Sequence, residues 1–136
     1  MTKRLLIVDD EATSRMMISK FLEKYGECDF AMDGMEAIRK VHKSIEDNKP
    51  YSLITLDILM PNILGSKALS IIRNMEKENN VEKPTKIIFI TSLDEDKIEI
   101  DLNPEFEAYL GKPLIATKLF AILDCFDIKH SAVEES

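Results

Sequence analysis

The sequence predicts a doubly wound α/β fold, a five-stranded parallel sheet with helices on both faces. Aliphatic runs of strand length alternate with longer amphipathic stretches about five times along the 136 residues. The aliphatic runs lack period-2 alternation, as expected of strands buried on both faces of a parallel sheet. The clearest of them end abruptly on polar residues, which places those residues at one edge of the sheet.

The first run, Leu5-Leu6-Ile7-Val8, ends at Asp9-Asp10. A helix over 12–25 follows, with Met16, Met17, Phe21 and Leu22 on one stripe and Gly26 just past its end. A left-handed cap there would cost glycine little. Cys28-Asp29-Phe30-Ala31 is a shorter strand. Asp33 is placed to cap the next helix, whose Ala37, Ile38, Val41 and Ile45 recur at helical spacing. Leu53-Ile54-Thr55-Leu56 ends at Asp57, and residues 66–78 then carry Leu69, Ile72 and Met75 on a helical stripe. Lys86 to Ile90 ends at Thr91-Ser92. From Asp94 to Leu102 the pattern predicts a short or irregular helix stopped by Pro104. Ala108-Tyr109-Leu110 is the last strand, and Thr117 to Phe126 the last helix, with Leu119, Phe120, Leu123 and Phe126 on its stripe. Residues 1–127 therefore read as one domain and 128–136 as a polar tail.

Composition narrows the function classes. A hydrophobic fraction of 45% supports one core, and 32% charged residues supply its surface. With 25 acidic against 18 basic residues the net charge is −7, a poor match for nucleic-acid phosphates, which are bound through Lys and Arg. The opening aliphatic run is too short for a signal peptide core, and no stretch approaches the roughly 20 apolar residues of a membrane span. The expectation is a soluble, cytoplasmic protein with no nucleic-acid or membrane partner. Cys28 and Cys125 have neither metal-ligand spacing nor a histidine cluster, and read as free, mostly buried thiols. His42 and His130 read as surface residues. Most of the seven methionines, and Phe21, Phe89, Phe120 and Phe126, read as core.

In an open parallel sheet, ligands bind outside the carboxyl ends of the strands. The residues there are Asp9-Asp10, Asp57, Thr91-Ser92 and Lys112-Pro113. On its own the acidic pair reads as a helix cap, since acids favour helix N-termini. With Asp57 and Lys112 at equivalent ends, the balance moves to a metal site. Carboxylates crowded together need a cation among them, and oxygen-only ligation suits Mg²⁺. Lys112 offers an ammonium for phosphate oxygens, Thr91 a hydroxyl and Ser92 a backbone N–H. Together they describe a phosphoryl group bound beside Mg²⁺.

At this point the residues resemble a known family. Val8-Asp9-Asp10-Glu11, Leu56-Asp57-Ile58-Leu59-Met60-Pro61 with Gly65, Ile90-Thr91-Ser92 and Tyr109-Leu110-Gly111-Lys112-Pro113 together look like the receiver domains of two-component response regulators, over about Arg4 to Phe126. The resemblance implies a flavodoxin-like fold with Asp57 as phosphoacceptor. Asp10, Asp57 and the Leu59 carbonyl would ligate Mg²⁺, with Asp9 acting mainly through water. Lys112, joined to Pro113 by a cis bond, would meet the phosphoryl oxygens. Thr91 would close on the phosphoryl group and Tyr109 would follow it inward. The donor would be a sensor histidine kinase or a histidine phosphotransfer protein, and the output a downstream protein bound by a monomer or a phosphorylation-dependent dimer. The resemblance implies no enzyme beyond the chain's own phosphorylation and dephosphorylation.

Two features depart from the usual family pattern. Asn103 to Ala108 lacks the Gly-Ala pair common before the tyrosine, and Leu59 and Leu93 are apolar beside the acceptor, expected to slow attack of water. With no linker to an output domain visible, a stand-alone messenger is expected, with a phosphorelay intermediate or a phosphate sink as alternatives. An aspartyl phosphohydrolase would need an acid where Leu59 stands. A flavin module would need a Ser/Thr/Gly-rich loop where Asp9-Asp10-Glu11 stands.

Overall fold

A computed structural model describes residues 3–60, 63–92, 106, 108–126 and 128. Five strands, β1 (Arg4–Val8), β2 (Glu27–Ala31), β3 (Leu53–Leu56), β4 (Lys86–Thr91) and β5 (Ala108–Gly111), form one sheet in the order β2-β1-β3-β4-β5. Every neighbouring pair is parallel. Four helices are described: α1 (Ala12–Leu22), α2 (Gly34–Glu46), α3 (Gly65–Glu78) and α4 (Ala116–Cys125). The expected segment Asp94 to Leu102, together with Leu93, Pro61 and His130, lies outside the described residues. None of the described helices is long and apolar enough to cross a membrane.

The expectation of two buried sheet faces holds. Leu6, Val8, Ile54, Leu56, Ile87 and Phe89 point to one side, where Ala37 and Val41 of α2 and Leu69 and Ile72 of α3 cover them. Leu5, Ile7, Leu53, Ile88 and Ile90 point to the other, under Ile18 and Leu22 of α1 and Leu119 and Leu123 of α4. Each central strand therefore supplies both cores by simple alternation. Ile128 is also buried, and its N–H donates to the Leu123 carbonyl at 2.9 Å.

Local signals decide several boundaries. The Asp33 side chain accepts from the Glu36 N–H at 2.8 Å, as its position before α2 predicts. The left-handed residues that end helices are Asn48 (φ 57°) and Asn80 (φ 54°), after α2 and α3. In both, the next N–H bonds six residues back-inclusive to the third-last helical carbonyl, Lys49 to Ser44 and Val81 to Glu76. Gly26 is not a left-handed cap, since its φ is not positive. It is glycine because a Cβ would lie 2.4 Å from the Lys3 carbonyl oxygen, where the chain enters β2 against β1.

Other expectations are corrected by the packing. Met16 and Met17 face solvent, and the buried stripe of α1 runs through Ile18 and Leu22. Met32 and Met35 are exposed too, and among the described methionines only Met60 is fully packed, with Met75 half-buried. Phe89 is core and Phe21 and Phe126 are half-buried. Phe120 is exposed, its ring edge-on to Phe21 with centroids 6.2 Å apart. Both thiols are free, but Cys28 is only half-buried and Cys125 exposed. His42 is a surface residue, 3.3 Å from Glu46 one turn on. Asp29, midway along β2, accepts from Tyr51 at 2.7 Å and Arg4 at 2.9 Å, tying β2 to the start of β1 and to the segment before β3.

Candidate functional site

The carboxyl ends of the strands hold the acidic residues because pairing continues one residue past each strand. The Asp9 N–H donates to Ala31 O (3.1 Å), that of Asp57 to Val8 O (3.1 Å) and that of Lys112 to Thr91 O (2.9 Å). The aligned register, with Val8 opposite Leu56 and Thr91 opposite Gly111, puts Asp9 and Asp57 side by side on neighbouring strands. Asp9 shares a strand face with Leu5 and Ile7, and Asp57 with Leu53 and Thr55, so both acids project on the α1/α4 side of the sheet. Lys112 follows Leu110 on that same side and reaches across β4 to meet them.

Both acids are almost fully buried and use their oxygens in the same way. Asp9 Oδ1 accepts from the Glu11 N–H at 2.9 Å, and Asp57 Oδ1 from the Leu59 N–H at 3.2 Å. Their other oxygens face the Lys112 ammonium, with Nζ 2.8 Å from Asp9 Oδ2 and 3.0 Å from Asp57 Oδ2. Burial alone would lower the Lys112 ammonium, but contact with Asp9 and Asp57 outweighs it and holds the group above the ordinary lysine range. Lysine therefore stays charged at any working pH. Asp10 is exposed, and one oxygen from each of Asp9, Asp10 and Asp57 falls within a 4.8 Å cluster.

Three carboxylates and one ammonium leave the corner negative, and its ligand atoms are oxygen throughout, the donor set that a small hard divalent cation takes. Asp9 Oδ2, fully buried, is met by the Lys112 ammonium at 2.8 Å, which Asp57 Oδ2 shares at 3.0 Å, so two buried carboxylates divide one positive charge. With Asp10 beside them the carboxylates outnumber the ammonium, and a further cation would offset the remaining negative charge. The residues fit a divalent ion.

The remaining site candidates are placed around this corner. Thr91 is fully buried at the end of β4, between the strands that carry Asp57 and Lys112, and Ser92 beside it is exposed. By alternation with Ile90, Thr91 faces the α2/α3 side, the side on which half-buried Tyr109 packs. Phe89 and Phe106 meet there edge to face, with centroids 4.9 Å apart. Leu59 is exposed two residues past Asp57, and the Lys112–Pro113 bond is cis.

Three residues near the corner make contacts that pattern reasoning does not reach. Glu11, noted only as part of a motif, approaches Lys112 Nζ at 3.4 Å. Arg15 donates to the Asp9 carbonyl oxygen at 2.7 Å. Gly65 lets α3 start against the site, since a Cβ there would stand 2.2 Å from the Asp57 carbonyl oxygen. None of these contacts has a sequence signature, because each joins a side chain or Cα to a backbone group or charge on another segment.

Comparison with known proteins points to one family. The family model described as the response regulator receiver domain matches residues 5–124. The transcription factor SKN7 of Saccharomyces cerevisiae is 35% identical over 122 residues, covering 88% of this chain and 18% of its own length. Against SKN7 of Candida albicans the share of the relative's length is 20%, so the chain spans about a fifth of these curated relatives. Among solved structures, the response regulator TrrA of Thermotoga maritima in complex with Mg²⁺ and BeF has a TM-score of 0.72 at 29% identity, with 90% of this chain and 97% of that one covered. A two-component response regulator of Clostridium difficile has a TM-score of 0.73 at 30% identity, with 90% and 93% covered.

Proposed function

This chain belongs to the response regulator receiver family, a module of two-component signalling phosphorylated on aspartate, and we propose that Asp57 is its phosphoacceptor in a Mg²⁺-dependent switch. The observation that carries the reading is the burial of Asp57 and Asp9 around one ammonium, with Asp10 completing an oxygen-only corner.

Asp10, Asp57 and the Leu59 carbonyl are the groups that would hold Mg²⁺, with Asp9 contributing through water. When bound, the ion supplies charge neutralisation for an incoming phosphoryl group. Asp57 supplies the nucleophile. A carboxylate oxygen forms the new P–O bond as the P–N bond of a phosphohistidine breaks, and the imidazole leaves with the electron pair. Lys112, already 3.0 Å from Asp57 Oδ2, follows the charge as it moves onto the phosphoryl oxygens. The product carries about −1.5 to −2 charges where one carboxylate had been, with three strong acceptor oxygens. Thr91 and the Ser92 N–H, at the end of the intervening β4, are the donors this reading assigns to meet them. A rearrangement of Thr91 toward the phosphoryl group would free space for Tyr109 on the α2/α3 side, which makes β5 and its surroundings the signalling face.

The donor in this reading is a sensor histidine kinase or a histidine phosphotransfer protein, and the output is phosphorylation-dependent binding of another protein. The chain is read as a cytoplasmic receiver whose own chemistry is gaining and losing a phosphoryl group. The test compares wild type with Asp57→Asn, using acetyl phosphate or beryllofluoride with Mg²⁺. Labelling of wild type alone is expected; equal labelling of both removes Asp57 from the mechanism.

A further inference from the structure

We infer that Arg15 is a positioning residue for the divalent-cation corner, fixing the peptide that carries Asp10; this rests on the Mg²⁺ reading above. The half-buried guanidinium of Arg15 donates to the Asp9 carbonyl oxygen at 2.7 Å. That carbonyl belongs to the peptide bond between Asp9 and Asp10, so the bond sets the direction in which Asp10 leaves the strand.

Two further observations make Asp10 dependent on this contact. The residue at the N-cap of α1, Glu11, makes no side-chain capping bond, and its carboxylate reaches toward Lys112 instead. The turn from β1 into α1 is therefore held at Asp9, by the Glu11 N–H on the carboxylate and by Arg15 on the carbonyl. Asp9 and Asp57 are also clamped by Lys112, whereas the exposed Asp10 carboxylate makes no hydrogen bond or ion pair among the described residues. Its placement comes from the main chain, which the Asp9 carboxylate holds at the Glu11 N–H and Arg15 holds at the Asp9 carbonyl, the peptide that leads directly into Asp10.

The sign of the effect separates positioning from simple charge. A guanidinium close to a cation site repels the cation through space, so deleting it would tighten Mg²⁺ binding if charge were all that mattered. Positioning predicts the opposite, because outer-shell partners that orient a ligand typically hold about 10-fold or more of the metal affinity.

The experiment is a calorimetric Mg²⁺ titration of wild type, Arg15→Met and Arg15→Lys, with urea unfolding in the absence of Mg²⁺ alongside. Arg15→Met is expected to weaken Mg²⁺ binding roughly 10-fold. Arg15→Lys should fall between that variant and wild type, since an ammonium donates without the guanidinium fork. Affinity equal to or tighter than wild type in Arg15→Met overturns the inference. If Arg15→Met does not fold, Arg15→Gln, also uncharged, is judged by the same sign. Wild type taking up no Mg²⁺ would instead bring down the metal reading itself, and the inference with it.

Discussion

Replacing Gly65 with alanine tests whether the close approach of α3 to the acceptor strand is real. Gly65 opens α3, is buried, and donates its N–H to the Ile58 carbonyl at 2.9 Å. A Cβ there would lie 2.2 Å from the Asp57 carbonyl oxygen, 2.8 Å from Ile58 Cα and 3.0 Å from the Asp57 carbonyl carbon. All three are backbone atoms, so no side-chain rotation can relieve the clash. The tightest contact must open by about 0.8 Å to reach 3.0 Å. The φ of Gly65 is not positive, so alanine is allowed there by its backbone conformation, and helix propensity alone would favour it by up to about 1 kcal/mol. Overpacking opposes this with about 1–3 kcal/mol, and the upper end applies when backbone has to move. The expected net loss is about 2 kcal/mol, which lowers Tm by roughly 7 °C for a chain of this length. The moved peptide is that of Asp57, and a displacement near 1 Å at a reacting group costs on the order of 10²-fold in rate. Urea unfolding and the initial rate of acetyl phosphate labelling measure the two effects. A Gly65→Ala variant as stable as wild type, labelled at the wild-type rate, would refute the reasoning.

Further predictions concern the sheet and the acceptor's surroundings. Thr55 is buried in β3 and its hydroxyl has no hydrogen-bond partner among the described residues, so Thr55→Val should stabilise the protein by about 1–2 kcal/mol; a lower urea midpoint would show that the hydroxyl is satisfied. Burial alone would raise the Asp29 carboxyl, but the Tyr51 hydroxyl and the Arg4 guanidinium outweigh it and hold it below the usual carboxylate range. A lowered folded pKa means stability present above the unfolded value near ~3.9 and lost as pH falls through the folded value. With the Asp29 side chain 34% exposed, solvent screening keeps this below about 1 kcal/mol, so Asp29→Asn should cost that little at pH 7 and nothing in strong acid; a difference that persists in acid would contradict the sign. Leu59, 46% exposed beside Asp57, offers water no hydrogen bond, so Leu59→Asn should shorten the phosphoryl lifetime. Autodephosphorylation at the wild-type rate would dismiss that role.

Legibility followed the range of each interaction. Asp33 could be read as a cap because its bond spans three residues, and β1, β3 and β4 could be read because each is built mainly of consecutive apolar residues. The stripe of α1 could not be read correctly, because Met16, Met17, Ile18 and Leu22 are all apolar and only the line of approach to the sheet selects among them. Gly26 could be given a local reason, a left-handed turn, while its actual constraint comes from Lys3, more than twenty residues earlier.

By itself, the order of residues determined that Asp9, Asp10, Asp57, Thr91 and Lys112 share one edge of a parallel sheet, since each stands at or just past the end of a strand and parallel strands all finish on the same side. The tertiary structure alone decided that Lys112 spans β4 to meet two buried carboxylates, that Arg15 grips the Asp9 carbonyl, and that Gly65 lies against Asp57. Those contacts depend on strand register, side-chain direction and helix approach, which packing sets only after distant segments have met.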